Sequence, residues 1–305
     1  MSQAIKIGIV GAGVFGNYHA QKYATLAEAA LVGVFDPDEA AAKDIAERYD
    51  ARSYSDSAVL FDQVDAVVIA SPATTHFESA KRALQSGLSV FVEKPLACDL
   101  DEALWLASYA NENGQILQVG HQERYVLEAL GLFSQPKLPK KIICKRTSKP
   151  SERCKDVSVV MDLMIHDLDI ISKLSDGASV RVLSAKGNWD NVATQFDLSN
   201  DIKVEVTAIR NGDDFNRTLE LHYDNGVVCY DFGTRQVDNS AKLSLNMDIL
   251  EDLDSMLIRD PLGFGAESFL SCIRHQAPPS VSGHDGVQAV RLGCAIEAAA
   301  GIVAQ

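Results

Sequence analysis

The sequence has no excess of basic residues. It holds 28 Lys and Arg against 42 Asp and Glu, a formal net charge of −14 over 305 residues. Because phosphate backbones select basic surfaces, this charge argues against a general nucleic-acid-binding protein. The sequence also lacks any run of about 18 apolar residues, so we expect neither a signal peptide nor a membrane-spanning helix.

The sequence is also poor in paired cysteines. Its six cysteines are scattered, and no Cys-x-x-Cys pair occurs. A structural zinc site normally takes its ligands from such close pairs, so we expect no metal site. Scattered cysteines of this kind are typical of reduced thiols in a cytosolic protein, and we expect a cytoplasmic location.

A glycine-rich turn follows the first apolar run, Ala4–Val10, and precedes a helical stretch. The turn consists of Gly11, Ala12, Gly13, Val14, Phe15 and Gly16. In dinucleotide-binding proteins the first glycine permits the tight turn, the second lets the backbone approach the pyrophosphate, and the third allows close helix-to-strand packing. The strand before and the helix after favour this function over that of an ordinary glycine-rich turn.

A second apolar strand, Leu31–Phe35, ends at Asp36. A carboxylate at this position accepts hydrogen bonds from the adenosine ribose and repels a 2′-phosphate, which predicts NAD as the cofactor rather than NADP. Arg48 and Arg52 lie beyond the usual phosphate-reading position, so NADP stays open as the less favoured alternative.

Strands and helices then alternate up to residue 120, which predicts an α/β fold with a doubly wound parallel sheet. Three polar clusters follow predicted strands: Ser71–His76, Glu93–Pro95 and Gly120-His121. Ligands of such sheets bind at the carboxyl ends of the strands, so we expect these clusters to face one cleft.

Several motifs together resemble the glucose–fructose oxidoreductase / inositol dehydrogenase (Gfo/Idh/MocA) family. They are the glycine-rich turn, Asp36, Ala70-Ser71-Pro72 with His76, Glu93-Lys94-Pro95, and Asp162 to His166. The resemblance implies a Rossmann domain followed by an α/β domain with a large, mostly antiparallel sheet that often forms an oligomer interface. It implies catalytic roles for Lys94, Asp162 and His166. It also implies cofactor contacts from the glycine-rich turn, Asp36, Ser71, Pro72, Thr74, His76, Glu93, Lys94 and Gln122.

Lys94 lies at the end of a buried strand, before a proline that keeps the backbone extended and has an increased cis population. An ammonium group beside the nicotinamide could stabilise negative charge on a substrate oxygen. Taken without the family, the residue could equally be a surface lysine on a strand-to-helix loop.

The apolar stripe of Val157–Leu174 predicts a helix. Asp162 and His166 are four residues apart, about one turn, so His166 could accept a hydroxyl proton while Asp162 orients the ring. A surface ion pair is the alternative, although the neighbouring residues are too apolar for a fully solvated face. The segment Asp156–Val160 departs from the glycine-rich approach common in the family, and this departure points to a particular subgroup.

The strand pattern changes after Gly120, which predicts a second, substrate-binding and oligomerisation domain over residues 121–305. Strand-like runs and a hairpin signal at Asp224-Asn225-Gly226 favour a largely antiparallel sheet. The predicted strands are Lys140–Arg146, Val180–Gly187, Ile202–Arg210, Thr218–Tyr223, Val227–Phe232 and Leu243–Met247.

Eight basic residues lie within the nineteen residues Lys137–Lys155 of this acidic protein. They are Lys137, Lys140, Lys141, Lys145, Arg146, Lys149, Arg153 and Lys155. Such a basic segment would concentrate an anionic substrate such as a nucleotide sugar, and we expect Arg124, Lys145 and Arg146 to join Asp162 and His166 in binding it. The alternative is that part of the segment lines a solvated strand face.

The segment Asp156–Asp169 resembles a subgroup of UDP-N-acetylglucosamine 3-dehydrogenases. The resulting hypothesis is an NAD-dependent oxidoreductase that takes a hydride from a sugar hydroxyl carbon and functions as a homo-oligomer, a dimer or tetramer. A dehydrogenase of free polyols or monosaccharides is the alternative within the enzyme class. A noncatalytic NAD-binding regulatory protein is the alternative outside it, although a regulator has no need of Lys94, Asp162 and His166.

Overall fold

The computed structural model describes residues 3–150 and 155–302. The chain divides into two compact units, one of Met1–Gln122 with Arg259–Val287 and the other of Glu123–Ile258 with Gln288–Gln305. The predicted boundary after Gly120 lies close to the first of these junctions. The return of Arg259–Val287 to the first unit differs from the prediction, which assigned all of residues 121–305 to the second domain.

The described part of the first unit contains a six-stranded sheet in the order β3-β2-β1-β4-β5-β6, and all its strand pairs are parallel. The strands are β1 Ile5–Val10, β2 Ala29–Phe35, β3 Arg52–Tyr54, β4 Ala66–Ile69, β5 Ser89–Val92 and β6 Leu117–Val119. β4 is buried along its whole length, as expected of a parallel strand covered by helices on both faces. The predicted doubly wound parallel sheet is confirmed.

Five helices alternate with these strands. They are α1 Val14–Thr25, α2 Glu39–Arg48, α3 Ser57–Phe61, α4 His76–Gln85 and α5 Leu100–Glu112. Aspartates cap the start of three of them: the Asp38 side chain accepts the backbone N–H groups of Ala40 and Ala41, Asp56 accepts that of Ala58 in α3, and Asp99 caps α5 in the same way as Asp38 caps α2. Such caps satisfy N–H groups of the first turn that have no partner within the helix and so fix where each helix begins.

The returning segment supplies α10 Pro261–His275, which packs against α1. Its Phe269 and Leu270 belong to the same buried apolar cluster as Ile7 and Phe91 of the sheet. This burial is the physical reason why a segment late in the sequence belongs to the first unit.

The second unit contains, in its described part, a seven-stranded sheet in the order β13-β12-β11-β7-β10-β9-β8. Only the β7–β10 pair is parallel among these, so the predicted mostly antiparallel sheet is confirmed. The strands are β7 Lys141–Thr147, β8 Val180–Asn188, β9 Asn191–Leu198, β10 Lys203–Ile209, β11 Asn216–Tyr223, β12 Gly226–Asp231 and β13 Val237–Asn239. The helices are α6 Glu123–Ala129, α7 Ile165–Leu174, α8 Asp248–Glu251 and α9 Met256–Arg259, the last ending at the junction, and α11 Gly283–Ala300 runs from the first unit into the second.

Two local predictions differ from the structure. The expected strand at Leu243–Met247 is not formed, because the side chain of Asn239 pairs with both the N–H and the C=O of Leu243 at 2.9 Å and so takes the groups that a strand would use. The sequence analysis also missed β9, although its side chains alternate regularly between exposed and buried.

Among the described helices, none is long and apolar enough to cross a membrane. Residues 3–150 and 155–302 contain no group of three or more His, Cys, Asp or Glu side chains arranged to hold a metal ion.

Candidate active site

The glycine-rich turn between β1 and α1 has the geometry that a pyrophosphate needs. Gly11 has φ +105°, and a Cβ there would lie 2.6 Å from the backbone of Ala70; a Cβ at Gly16 would lie 1.9 Å from the carbonyl oxygen of Gly11. Gly13, by contrast, faces open space and starts α1 without a capping side chain. The backbone at the start of α1 is therefore accessible to an anion, and these residues fit an NAD pyrophosphate.

Asp36 follows β2 directly and is fixed by backbone donors. Its Oδ2 accepts a hydrogen bond of 2.6 Å from the N–H of Ala12, and its Oδ1 accepts one of 2.8 Å from Asp38. These bonds hold the carboxylate beside the glycine-rich turn, where a ribose would lie.

The two nearby arginines are engaged elsewhere. Arg48 donates to Asn17 at 2.8 Å and pairs with Asp44, while the Arg52 guanidinium lies 5.3 Å from the centre of the Tyr54 ring. With these contacts, neither guanidinium group lies beside Asp36 as a ligand for a 2′-phosphate.

The segment after β4 is tied to the segment after β5 by His76. The ring is buried, with Nδ1 2.7 Å from the carbonyl oxygen of Pro95 and Nε2 3.0 Å from that of Ser71. Pro72 and Thr74 are exposed at this edge of the sheet. A contact between His76 and the cofactor stays a prediction. The contacts of His76 within the structure hold the segments after β4 and β5 together.

Glu93, Lys94 and Pro95 follow β5, and the Lys94–Pro95 peptide bond is cis. Lys94 is partly exposed, whereas Glu93 is buried. Glu93 Oε1 lies 2.7 Å from Nε2 of His19 and 3.3 Å from Nε2 of Gln122. His19 was not among the predicted site residues, because its local signal is no more than a histidine on the inner face of α1.

The segment that carries Asp162 begins with a π-helical turn, Val160–Met164, before α7. The prediction was one continuous helix from Val157, with Asp162 and His166 one turn apart. The i→i+5 bonding of a π turn widens the helix locally, so the predicted helix is not regular, but four residues still span roughly one turn and the pairing of Asp162 with His166 stays a prediction. Turns of this kind occur frequently at functional sites.

Asp162 is 7% exposed, and its Oδ2 lies 3.7 Å from Nε of the buried Arg210. Arg210 is anchored in turn, since Nη2 donates to the carbonyl oxygen of Val157 at 2.6 Å. His166 is partly exposed. The structure thus adds Arg210, which the sequence analysis missed, as a charged neighbour of Asp162.

Two further arginines, Arg124 and Arg146, anchor α7 through buried ion pairs. Arg124 binds the carboxylate of Asp169 through Nε, at 2.9 Å, and Nη2. Arg146 donates from Nε to Asp167 at 2.8 Å and from Nη1 to Glu123 at 3.0 Å. Burial raises the pKa of Asp167 to about 6, and its Oδ1 makes no hydrogen bond within the described residues.

The two basic residues at the end of β7 lie on opposite faces of the sheet. Arg146 shares the buried face with Ile142 and Cys144, whereas Lys145 is exposed on the other face. Successive residues of a strand point to opposite faces, so one ligand cannot contact both side chains. Their predicted roles in substrate binding stay predictions, but Arg124 and Arg146 already bind carboxylates of the protein.

The rest of the basic segment is partly neutralised. Lys140 pairs with Asp224, and Lys141 pairs with Glu205 at 2.8 Å. Lys137 and Lys149 are exposed, as is Lys155, and Arg153 lies outside the described residues.

Comparison with known proteins agrees with these features. Residues 5–121 match the sequence model of the family described as "Oxidoreductase family, NAD-binding Rossmann fold". The chain is 28% identical over 309 residues to a UDP-N-acetylglucosamine 3-dehydrogenase of Acidithiobacillus ferrooxidans, covering 96% of this chain and 98% of that protein. It is 25% identical to a scyllo-inositol 2-dehydrogenase (NAD(+)) of Bacillus subtilis, covering 97% and 94%.

The same kinds of dehydrogenase occur among the solved structures that are similar to this chain. The Acidithiobacillus ferrooxidans UDP-N-acetylglucosamine 3-dehydrogenase superposes with a TM-score of 0.87 at 28% identity, covering 98% of both chains. A scyllo-inositol dehydrogenase of Lactobacillus casei, bound to NAD(H) and scyllo-inositol, shares the fold with a TM-score of 0.77 at 18% identity, covering 98% and 97%. Residues 5–121 thus match the Rossmann domain of this oxidoreductase family, and nearly the whole chain is similar in sequence and fold to a UDP-N-acetylglucosamine 3-dehydrogenase.

Proposed function

We propose that this oxidoreductase uses NAD to oxidise a ring hydroxyl of a nucleotide sugar, with UDP-N-acetylglucosamine or a close relative as substrate. The observation that carries the proposal is the likeness, over nearly the full length of both chains, to a UDP-N-acetylglucosamine 3-dehydrogenase. That likeness extends through the second unit, which carries Asp162 and His166.

NAD, when bound, supplies the hydride acceptor. The residues of the chain supply the proton chemistry: His166 accepts the hydroxyl proton of the substrate, and Asp162 orients the imidazole. Lys94 donates a hydrogen bond to the same substrate oxygen and stabilises its developing negative charge. Arg210 fixes the direction of Asp162 and offsets the cost of burying its carboxylate, since a buried carboxylate needs a charged or hydrogen-bonded partner.

In this proposal, Asp36 determines the preference for NAD over NADP. Its carboxylate is held by two backbone N–H groups and so cannot easily turn away from a 2′-phosphate. The engagement of Arg48 with Asp44 and Asn17 supports the same choice, because it removes the cation that a 2′-phosphate would need.

A dehydrogenase of free polyols is the second candidate. The carboxylate partners of Lys140, Lys141 and Arg146 favour it, since they reduce the positive charge that a nucleotide diphosphate would meet. The scyllo-inositol 2-dehydrogenase relative is consistent with this candidate.

The deciding experiment compares UDP-N-acetylglucosamine with free N-acetylglucosamine and myo-inositol, by NADH formation at low and high salt. We expect the nucleotide sugar to have the highest kcat/KM and its KM to rise with salt, because charge-assisted contacts are screened. Equal use of the free compounds without salt dependence would make the polyol candidate the better one.

We also propose that the protein functions as a homo-oligomer through the face of the second sheet that carries Lys145. Most side chains on this face of β7 and β10 have intermediate exposure, including Ile143 and Ile209, while Lys145 and Lys203 are exposed. Sedimentation equilibrium should give a dimer or tetramer, and Ile143→Glu should shift it towards the monomer. A monomeric wild-type protein would contradict the proposal.

A further inference from the structure

One buried histidine of the first unit has no part in the function described so far. His19 lies on α1, is fully buried, and forms a hydrogen bond of 2.7 Å between Nε2 and Oε1 of Glu93. Dinucleotide binding by α1 needs small residues and free backbone N–H groups, not an imidazole inside the helix. The side chain therefore needs another explanation.

The surroundings of His19 favour a ring that donates to Glu93. Its faces and edges contact aromatic rings, with Phe91 at 5.1 Å and Tyr23 at 6.4 Å between ring centres. Nδ1 makes no hydrogen bond within the described residues. A proton on Nε2 gives the carboxylate its hydrogen-bond donor.

Glu93 is held from three further directions. Gln122 approaches the same carboxylate oxygen at 3.3 Å, and the Glu93 N–H donates to the carbonyl oxygen of Ile69 in β4. On the other side, a Cβ added to Gly120 would lie 2.7 Å from Oε2. The carboxylate thus fills a fitted space, and any change at His19 must move it or leave it short of a donor.

We infer that His19 is a positioning residue that acts through Glu93 to fix the direction in which Lys94 leaves the main chain. Lys94 follows Glu93 directly in the chain, so a shift of the Glu93 main chain that accompanies a displaced carboxylate is passed on to Lys94. The inference rests on the catalytic role proposed for Lys94. Groups that orient a reactive residue typically change rates by about 10- to 100-fold, because small misplacements are costly in the transition state.

The test compares two substitutions of the same histidine. His19→Leu removes the donor, while His19→Gln keeps an N–H near the position of Nε2. We expect His19→Leu to lower kcat by about 10- to 100-fold with the Kd for NAD changed less than about threefold, and His19→Gln to recover most of the loss. His275→Leu, the same change at an exposed histidine of the same unit, should leave both constants unchanged.

A merely structural role predicts other results. Equal losses of kcat in His19→Leu and His19→Gln, or a loss of NAD affinity alone, would overturn the inference. Gly120→Ala is an independent variant, since it presses on Glu93 from the opposite side and should also lower kcat selectively.

A double-mutant cycle separates this inference from the proposed function. In a Lys94→Ala background His19→Leu should have no further effect, because the residue that it positions is gone. An unchanged effect in that background would overturn the inference while the role of Lys94 stands. If Lys94→Ala itself kept full turnover, the proposed function would fail.

A readout without turnover completes the test. The rate of Lys94 acetylation by dilute acetic anhydride, followed by peptide mass spectrometry, should rise several-fold in His19→Leu but not in His19→Gln. The rate at Lys43, an exposed lysine of the same unit, serves as the internal reference. An unchanged rate at Lys94 would count against the inference whatever the substrate is.

Discussion

In the first unit, the residues around the sheet edge are fixed mainly by contacts with the main chain, whereas in the second unit they are fixed by buried ion pairs. Asp36 binds backbone N–H groups, and His76 faces backbone carbonyls. Around α7, by contrast, arginine guanidinium groups meet the side-chain carboxylates of Asp162, Asp167 and Asp169.

The comparison indicates which property of each unit a substitution should affect. A contact with the main chain survives many side-chain changes, because the backbone partner is always present. A buried ion pair does not, since loss of one partner leaves an uncompensated charge in the interior. Substitutions at the sheet edge of the first unit should therefore mainly change ligand affinity and the rate of catalysis. Substitutions of the residues that form ion pairs with α7 should mainly lower the free energy of unfolding.

The largest effect is expected for Arg146. Arg146→Ala leaves Asp167 and Glu123 without their shared cation and should lower the free energy of unfolding by about 3–5 kcal/mol. Lys145→Ala, at the adjacent exposed position, should change it by less than about 0.5 kcal/mol. Urea unfolding of both variants measures the difference, and equal stabilities would contradict the role given to the ion pairs.

The next largest effect concerns the proposed catalytic residues of the two units. Lys94→Ala and His166→Ala should each lower kcat by at least about 10²-fold, with little change in NAD affinity by calorimetry. His166→Ala should also remove the acidic limb of the pH–rate profile, because a base works only when it is unprotonated. Near-wild-type turnover in both variants would favour a noncatalytic protein instead.

A smaller effect is expected at Asp36, the residue held by main-chain donors. Asp36→Ala removes a ribose hydrogen bond and the repulsion of a 2′-phosphate. We expect the ratio of the NADP Kd to the NAD Kd to fall by roughly tenfold, equivalent to about 1.4 kcal/mol. Calorimetric titration of both cofactors measures it, and a wild-type protein that binds both equally would show the prediction to be wrong.

The smallest effect is a pH dependence from Asp167. Burial raises its pKa in the folded state to about 6, above the value near 3.9 in an unfolded chain, so the folded protein binds this proton more tightly. The contribution of Asp167 to the free energy of unfolding is therefore present at low pH and is lost as the pH rises through about 6. The free energy of unfolding of the wild type minus that of Asp167→Asn should increase by about 1 kcal/mol from pH 7 to pH 5. A constant or opposite difference would mean that Asp167 stays ionised.

The first unit could be predicted well from the sequence because its signals are local. The glycine-rich turn, the acid after β2 and the alternation of strands and helices are each written within short stretches of chain. The cofactor half of the candidate site follows from them, and the family resemblance added Lys94.

The remaining features depend on partners that are distant in the sequence. His19 meets Glu93 across 74 residues, and Arg124 meets Asp169 across 45. A list of basic residues could not separate Arg146 from Lys145, because only the strand register decides which of the two is buried. The π turn before α7 likewise has no counterpart in a pattern of apolar residues.

The return of Arg259–Val287 to the first unit has a consequence for synthesis on the ribosome. When the chain has been made as far as Gln122, all six described strands of the parallel sheet exist, yet Phe269 and Leu270 are missing from their core. The ribosome must add the 136 residues of Glu123–Ile258 before that gap can close. The nascent first domain therefore waits with an apolar face open to solvent, the kind of surface that chaperones bind.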